Sequence, residues 1–422
     1  MVLYDFNIQR YLENNRHLLA INNYYRITKK INKKTIQKET KIPHASYRRA
    51  EINDFVDHPD MLFKVANYFN VPTDIDREFI DELNDDFNKL YTYYYLDDKK
   101  QMEEAFNKIE AKKPQLEKTA FITIYHFAKL VYYIGSEKRV KVDKISLSLN
   151  ILEGFEEDLL DEFKFLLDLY RYSYYSLIHD EANSIKYAQI VYVAVNEYPE
   201  LVPIVLYQMS VNYYLINDYA NCIFYSLEAL PLLINNLNFK RALYCNMNMA
   251  ICFERLENAV KSKEILNKIQ LYLTSNYDER IDYLTNLTLA NCYVTEKDYK
   301  SAIPIFDKLE STRKIKGENS LMLLYCYYKT DAYAEFNQLR DMLLEEYDKK
   351  NLYVGYYHLV ILMDALDSKN KTLIRNKFKI AKEHFQFIGD AKIADLINKE
   401  MIDKRIIKKP VASFSPKINS SF

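Results

Sequence analysis

At 422 residues, with 49% apolar and 28% charged side chains, the chain has room for two or three domains and is too apolar to be disordered. Its 5 Gly and 10 Pro argue against an open α/β fold, which needs glycine at turns and phosphate loops, and for helices joined by short polar turns. The net charge of −1 excludes nucleic-acid binding through bulk charge, so any such contact must be local.

The charge is indeed local. Residues 1–72 hold 12 Lys/Arg against 7 Asp/Glu, whereas 74–89 hold 2 basic against 7 acidic residues. Within the basic stretch, Ile31, Ile36, Ile42, Tyr47 and Ala50 have the spacing of two short helices around a tight turn. The second of these is predicted over His44 to Ile52, with Ala45, Ser46, Arg48 and Arg49 outward. An amphipathic helix carrying Leu62, Val65, Ala66 and Phe69 follows and ends at Asn70-Val71-Pro72.

From Ile31 to Val71 this pattern resembles the phage-repressor, Xre-like helix-turn-helix family without an insertion. It departs from that family at Lys33, where Gln is usual, at Gln37, where a small Ala stands, and at Lys41, where the turn has Gly. The resemblance implies DNA binding by residues 1–72. Arg48 and Arg49 are the candidates for guanine or phosphate, since a guanidinium bonds two acceptors at once. His44 and Ser46 add readout at the helix start, and Lys33, Lys34, Lys38 and Lys41 hold phosphates. The alternative is a solvated basic face that never meets DNA. Residues 73–90 are expected to form an acidic, solvated linker helix.

From about residue 91 to 400 the chain repeats itself. Tyr213, Phe253, Tyr293 and Tyr327 follow one another at spacings of 40, 40 and 34. Four residues before each stands Met209, Met249, Leu289 or Leu323, and next to those Ser210, Ala250, Ala290 and Leu324. Nine residues after each aromatic come Cys222, Ser262, Ala302 and Phe336. Small residues at such places let two helices approach.

This spacing looks like tetratricopeptide repeats. The resemblance implies an all-α fold, with six to nine helix pairs stacked in a right-handed superhelix whose inner face is built from first helices. Its register places Tyr207, Gln208, Val211, Tyr244, Asn248, Arg255, Asn291, Tyr325 and Tyr328 in the groove. Amides pair with the backbone of an extended peptide, tyrosines offer flat pockets with a polar tip, and Arg255 suits a carboxylate. The alternative is that Asn248 and Asn291 are ordinary helix-surface amides. Cys252, Cys292 and Cys326 share one repeat position and are expected as buried packing thiols.

The last residues, 401–422, shift to Lys, Pro and Ser and are expected to form a basic, frayed tail in which Ile406 and Ile407 are apolar enough to dock. No nucleotide loop, nucleophile elbow, metal-ligand spacing or paired-carboxylate motif stands out, so no enzyme activity, metal or cofactor is expected. No apolar run has the length of a membrane span and no signal-peptide pattern appears, which gives a cytoplasmic expectation with no membrane partner.

A helix-turn-helix head followed by such repeats resembles the peptide-responsive regulators of Gram-positive bacteria and their phages, the Rgg/NprR/PlcR/PrgX group with the arbitrium receptors. That resemblance implies a short signalling peptide in the groove, homodimerisation through the repeats, and two heads on palindromic double-stranded DNA. The alternative is a Rap-like protein whose helical repeats seize a response regulator or other protein without reading DNA.

Overall fold

The computed structural model describes residues 4–46, 59–136, 142–311, 318–348, 354–368, 370–384 and 391–408. Among these the secondary structure is helical, with no strand. Two compact units divide the chain, the first holding 1–216 with 228–242, the second 217–227 with 243–422.

In the first unit, helices α1 (Arg16–Thr28), α2 (Lys33–Thr40) and α3 (Pro59–Phe69) form the front of the chain. Ile36, Ile42, Leu62, Val65, Ala66, Phe69 and Val71 are all buried, as the apolar spacing requires. Asn32 caps α2 by accepting the Thr35 N–H at 2.8 Å. At the other end Lys41 takes a left-handed conformation, φ 56°, which glycine adopts more readily. Gln37 is half-buried rather than fully outward.

The repeat helices of this unit are α4 (Arg77–Leu96), α5 (Lys99–Leu116), α6 (Ile122–Gly135), α7 (Val142–Glu153), α8 (Asp161–Leu177), α9 (Glu181–Ala194) and α10 (Val202–Leu215). The stretch expected as a solvated connector is the front of α4, which runs on to Leu96 and buries Ile80, Leu83, Phe87 and Leu90. Most of its charges are exposed and the buried Asp86 is paired with Lys112, so the acidic composition hid an apolar stripe.

The segment around Phe6 and Ile8 docks on these repeats. The Phe6 and Ile8 N–H groups donate to the Asn88 and Asn84 side chains, each at 2.9 Å. Phe6 sits edge-on to Phe87 and Tyr91. Arg10 pairs with Glu162 at 3.0 Å, and the Asn23 amide donates to Asp158 at 3.2 Å. Helix α1 is thereby held against the corner between α7 and α8.

The remaining helices are α11 (Tyr219–Asn235), α12 (Phe239–Arg255), α13 (Ala259–Leu273), α14 (Glu279–Thr295), α15 (Tyr299–Ser311), α16 (Glu318–Lys329), α17 (Tyr333–Asp348), α18 (Val354–Asp367), α19 (Lys371–His384) and α20 (Ala391–Asp403). In the second unit Ala250, Ala290 and Ala302 are 0% exposed at the helix seams. At the equivalent places Leu324 and Phe336 are large and also buried, so that unit closes on bulk instead of close approach.

The turns repeat more faithfully than the helices. Asn217, Glu257, Lys297 and Asp331 each stand four residues after the repeat aromatic, and each has φ between 56° and 63°. After the last three, the next N–H bonds back to the aromatic's carbonyl: Asn258 to Phe253 at 2.8 Å, Asp298 to Tyr293 at 2.9 Å and Ala332 to Tyr327 at 3.1 Å. That is a Schellman closure built without glycine. Asp218, Asn258 and Asp298 then cap the following helix through their side chains. The same turn at Asp97-Asp98 and His179-Asp180 marks two earlier pairs.

Candidate functional site

The basic face of the front helices is partly described. Lys33, Lys34, Lys38, Lys41 and His44 are exposed and Ser46 is half-buried. His44, Ala45 and Ser46 are helical, at the place where the second helix was predicted. Arg48 and Arg49, its main candidates, lie outside the described residues, as do Tyr47, Ala50, Glu51 and Ile52.

The nine residues predicted for the groove separate into two groups. In the first unit Tyr207 and Val211 are half-buried. The Arg241 guanidinium lies 4.7 Å from the Tyr207 ring and 4.8 Å from that of Tyr94. Gln208, expected to face a ligand, is 4% exposed and committed to the core. Its carbonyl accepts from Tyr94 Oη at 3.2 Å and its amide donates to Ser173 Oγ at 2.7 Å. A buried amide keeps such partners because losing them leaves desolvated polar atoms, so Gln208 is a core residue.

In the second unit Tyr244 and Asn248 are half-buried on α12. Arg255, Asn291, Tyr325 and Tyr328 converge on one region, together with side chains that the repeat register does not single out. A cleft of about 390 Å³ is lined by Glu254, Arg255, Thr295, Tyr299, Tyr325 and Lys329 and, on its other wall, by Lys392, Asp395, Lys399 and Glu400. That second wall is α20. The face expected to hold a ligand is covered by the chain's own C-terminal helix.

The attachment is polar at both ends of α20. Lys392 Nζ pairs with the Glu254 carboxylate, donates to the Asn291 carbonyl at 2.9 Å and to Thr295 Oγ1 at 3.2 Å. Two turns on, Glu400 accepts from Tyr328 Oη at 3.0 Å and Lys329 Nζ at 2.9 Å. Between them Ile393, Ala394 and Ile397 are buried, as is Met401 just past Glu400. Ile406 and Ile407, expected in a frayed tail, pack against the same core; residues 409–422 lie outside the described residues.

Several groups here are strongly desolvated. Glu254 is 3% exposed, and besides Lys392 it has Arg255 Nε at 3.7 Å. Arg255, expected to take a ligand carboxylate, therefore already faces an acid of its own chain. Asn291 is 6% exposed, and its side-chain oxygen accepts no hydrogen bond. Burial pushes the Cys292 thiol up to about 11 and the Cys326 thiol up to about 12, as packing thiols require.

Repeat spacing could not name Lys392 or Glu400, because they lie outside the repeated positions. A signal existed nonetheless. Ile393, Ile397 and Met401 follow a four-residue period, with Lys392, Asp395 and Lys399 on another face.

No protein-family model matches the sequence, and no curated protein does. Solved structures match in fold. A Rap protein complexed with competence and sporulation factor is 15% identical, with a TM-score of 0.61 over 77% of this chain and 93% of that one. NprR in complex with its cognate peptide NprX is 15% identical, with a TM-score of 0.58 over 79% and 96%. Aspartyl phosphate phosphatase F from Bacillus subtilis is 14% identical, with a TM-score of 0.50 over 78% and 91%. The fold is the tetratricopeptide-like one. At these identities the likeness carries the fold alone, and it agrees with the all-α repeat architecture expected from the 40- and 34-residue spacings. Among the described residues no helix is long and apolar enough to cross a membrane.

Proposed function

We propose that this chain is a peptide-responsive helical-repeat regulator that reads DNA through residues 1–72. One observation carries the peptide half. The first-helix face of the second unit already holds a peptide segment, α20, through a buried carboxylate, a backbone carbonyl, a tyrosine hydroxyl and a lysine. Two neighbours of the same fold are complexes, one with competence and sporulation factor and the other with its cognate peptide NprX.

Arg255, Asn291, Tyr325 and Tyr328 are the residues of this chain that stand where a peptide would lie, with Tyr244 and Asn248 farther along α12. For DNA, the exposed Lys33, Lys34, Lys38 and His44, with Ser46, Arg48 and Arg49, form the proposed contact set. In this reading 73–90 joins the head to the repeats of 91–400, which also dimerise, and 401–422 completes the chain. Two heads then meet a palindromic site whose half-sites lie about one helical turn apart. Peptide acts by changing the relative stability of DNA-binding and non-binding arrangements.

The decisive experiment is unbiased DNA-site selection with the full-length protein, with and without short peptides from cultures of the source cell. Recovery of a palindromic site whose affinity changes with peptide supports the reading. Failure to enrich any site under either condition overturns the DNA half.

A second reading, docking of a protein partner, is favoured by one observation. Helix α1 is fastened to the α7–α8 corner through Asn23 and Tyr24, and the segment before it to α8 through Arg10, instead of hanging from a linker. On that reading the first helices are a docking bundle, and replacing Arg48 and Arg49 with Ala leaves function intact.

A further inference from the structure

We propose that α20 is the resident ligand of the first-helix face, and that an incoming peptide binds by displacing it. This rests on the peptide reading above and adds its regulation and the chemistry of the competitor. A helix that merely closes a repeat array needs apolar contacts. This one places charged groups on polar atoms of three different first helices: Glu254 on α12, Asn291 and Thr295 on α14, and Tyr328 and Lys329 on α16. Such bonds are exchangeable, since another chain offering the same groups satisfies the same atoms.

The cleft of about 390 Å³ runs between α20 and that face, so a competitor has an entry beside the helix it replaces. What it must carry follows from what would be exposed. Glu254 is 3% exposed, and removing Lys392 leaves its carboxylate desolvated with only Arg255 nearby. The competitor therefore brings an ammonium or guanidinium to Glu254. It brings a carboxylate to the Tyr328–Lys329 end, where Glu400 now sits.

Lys392 and Glu400 are eight residues apart on a helix, roughly 12 Å along its axis. An extended peptide covers that distance in about four residues. The favoured ligand is thus a short extended peptide with a cation near one end and a carboxylate near the other. Being tethered, α20 competes at a high effective concentration, so the resting protein holds weak ligands out.

The test uses the full-length chain and a synthetic peptide of sequence 391–403. Lys392→Ala should bind that peptide roughly tenfold or more tightly than the unaltered chain, because the internal competitor is weakened while Glu254 is intact. A peptide with Ala in place of its lysine at the 392 position should lose the gain. Lys308→Ala, which removes an exposed lysine of α15 outside the cleft, should leave affinity unchanged. In hydrogen exchange, amides of 391–403 should open before those of α12 and α14, and faster still in Glu400→Gln.

Equal peptide affinity in Lys392→Ala and the unaltered chain, or exchange of 391–403 only together with α12 and α14, overturns the proposal. If α20 is displaced by its own synthetic copy but by no cellular peptide, the displacement stands and the signalling reading fails.

Discussion

Tyr24 of α1 and Phe155 at the α7–α8 corner stack with ring centroids 4.2 Å apart and planes 8° from parallel. The stack depends on Gly154. A Cβ there would lie 2.9 Å and 3.0 Å from two carbons of the Tyr24 ring. Gly154→Ala should therefore push Tyr24 aside and cost about 1–3 kcal/mol. Hydrogen exchange should show 16–28 opening faster while the second unit keeps its protection. Unchanged exchange in α1 would mean that the ring relocates freely.

Leu237 has φ 58° and is 67% exposed, at the turn between α11 and α12. A branched residue in the left-handed region is strained, and this one has little packing to lose. Leu237→Gly should stabilise the protein by about 0.5–1 kcal/mol, the conformational relief being partly offset by the freer unfolded chain. A higher urea midpoint with an unchanged slope is the expected readout.

His126 is buried beside Ser148, with Nδ1 3.2 Å from the hydroxyl. Burial, and behind it the charges of Lys129 and Lys113, push its imidazole down to about 3. Below its ordinary value of 6.5 the unfolded chain takes up a proton that the folded chain refuses. Stability contributed by this group should thus fall as pH drops from 6.5 toward 3, by at most about 1.4 kcal/mol per pH unit. His126→Gln should flatten that part of a stability–pH curve. A slope identical to the unaltered protein's would show that the imidazole titrates normally in the fold.

Lys34 and Lys38 are exposed on α2 and are proposed to hold phosphates. Replacing either with Ala should weaken binding about equally across DNA sequences. It should also lower the dependence of log affinity on log salt by about one per residue. Gel shifts at several salt concentrations measure both. A loss confined to one sequence would make the lysine a base-reading residue instead.

Short-range features were legible. Leu62, Val65, Ala66 and Phe69 are buried because three- and four-residue spacings specify one helix face. The repeat seam was legible for the same reason, since Ala250, Ala290 and Ala302 recur at fixed offsets. Gln208 was not, because an amide on a helix looks alike facing solvent or core. Its destination is decided by Ser173 and Tyr94, 35 and 114 residues away. The docking of Phe6 and the folding-back of α20 failed to show for that reason too. The apolar period of Ile393, Ile397 and Met401 announces a buried face, but only the tertiary fold says which surface buries it.

The left-handed residues at 217, 257, 297 and 331 are Asn, Glu, Lys and Asp. A period kept in backbone torsion and not in residue identity is free to change every letter while the architecture persists. Alignment methods weigh letters, so this chain's ancestry is better traced by superposing corners than by comparing spellings.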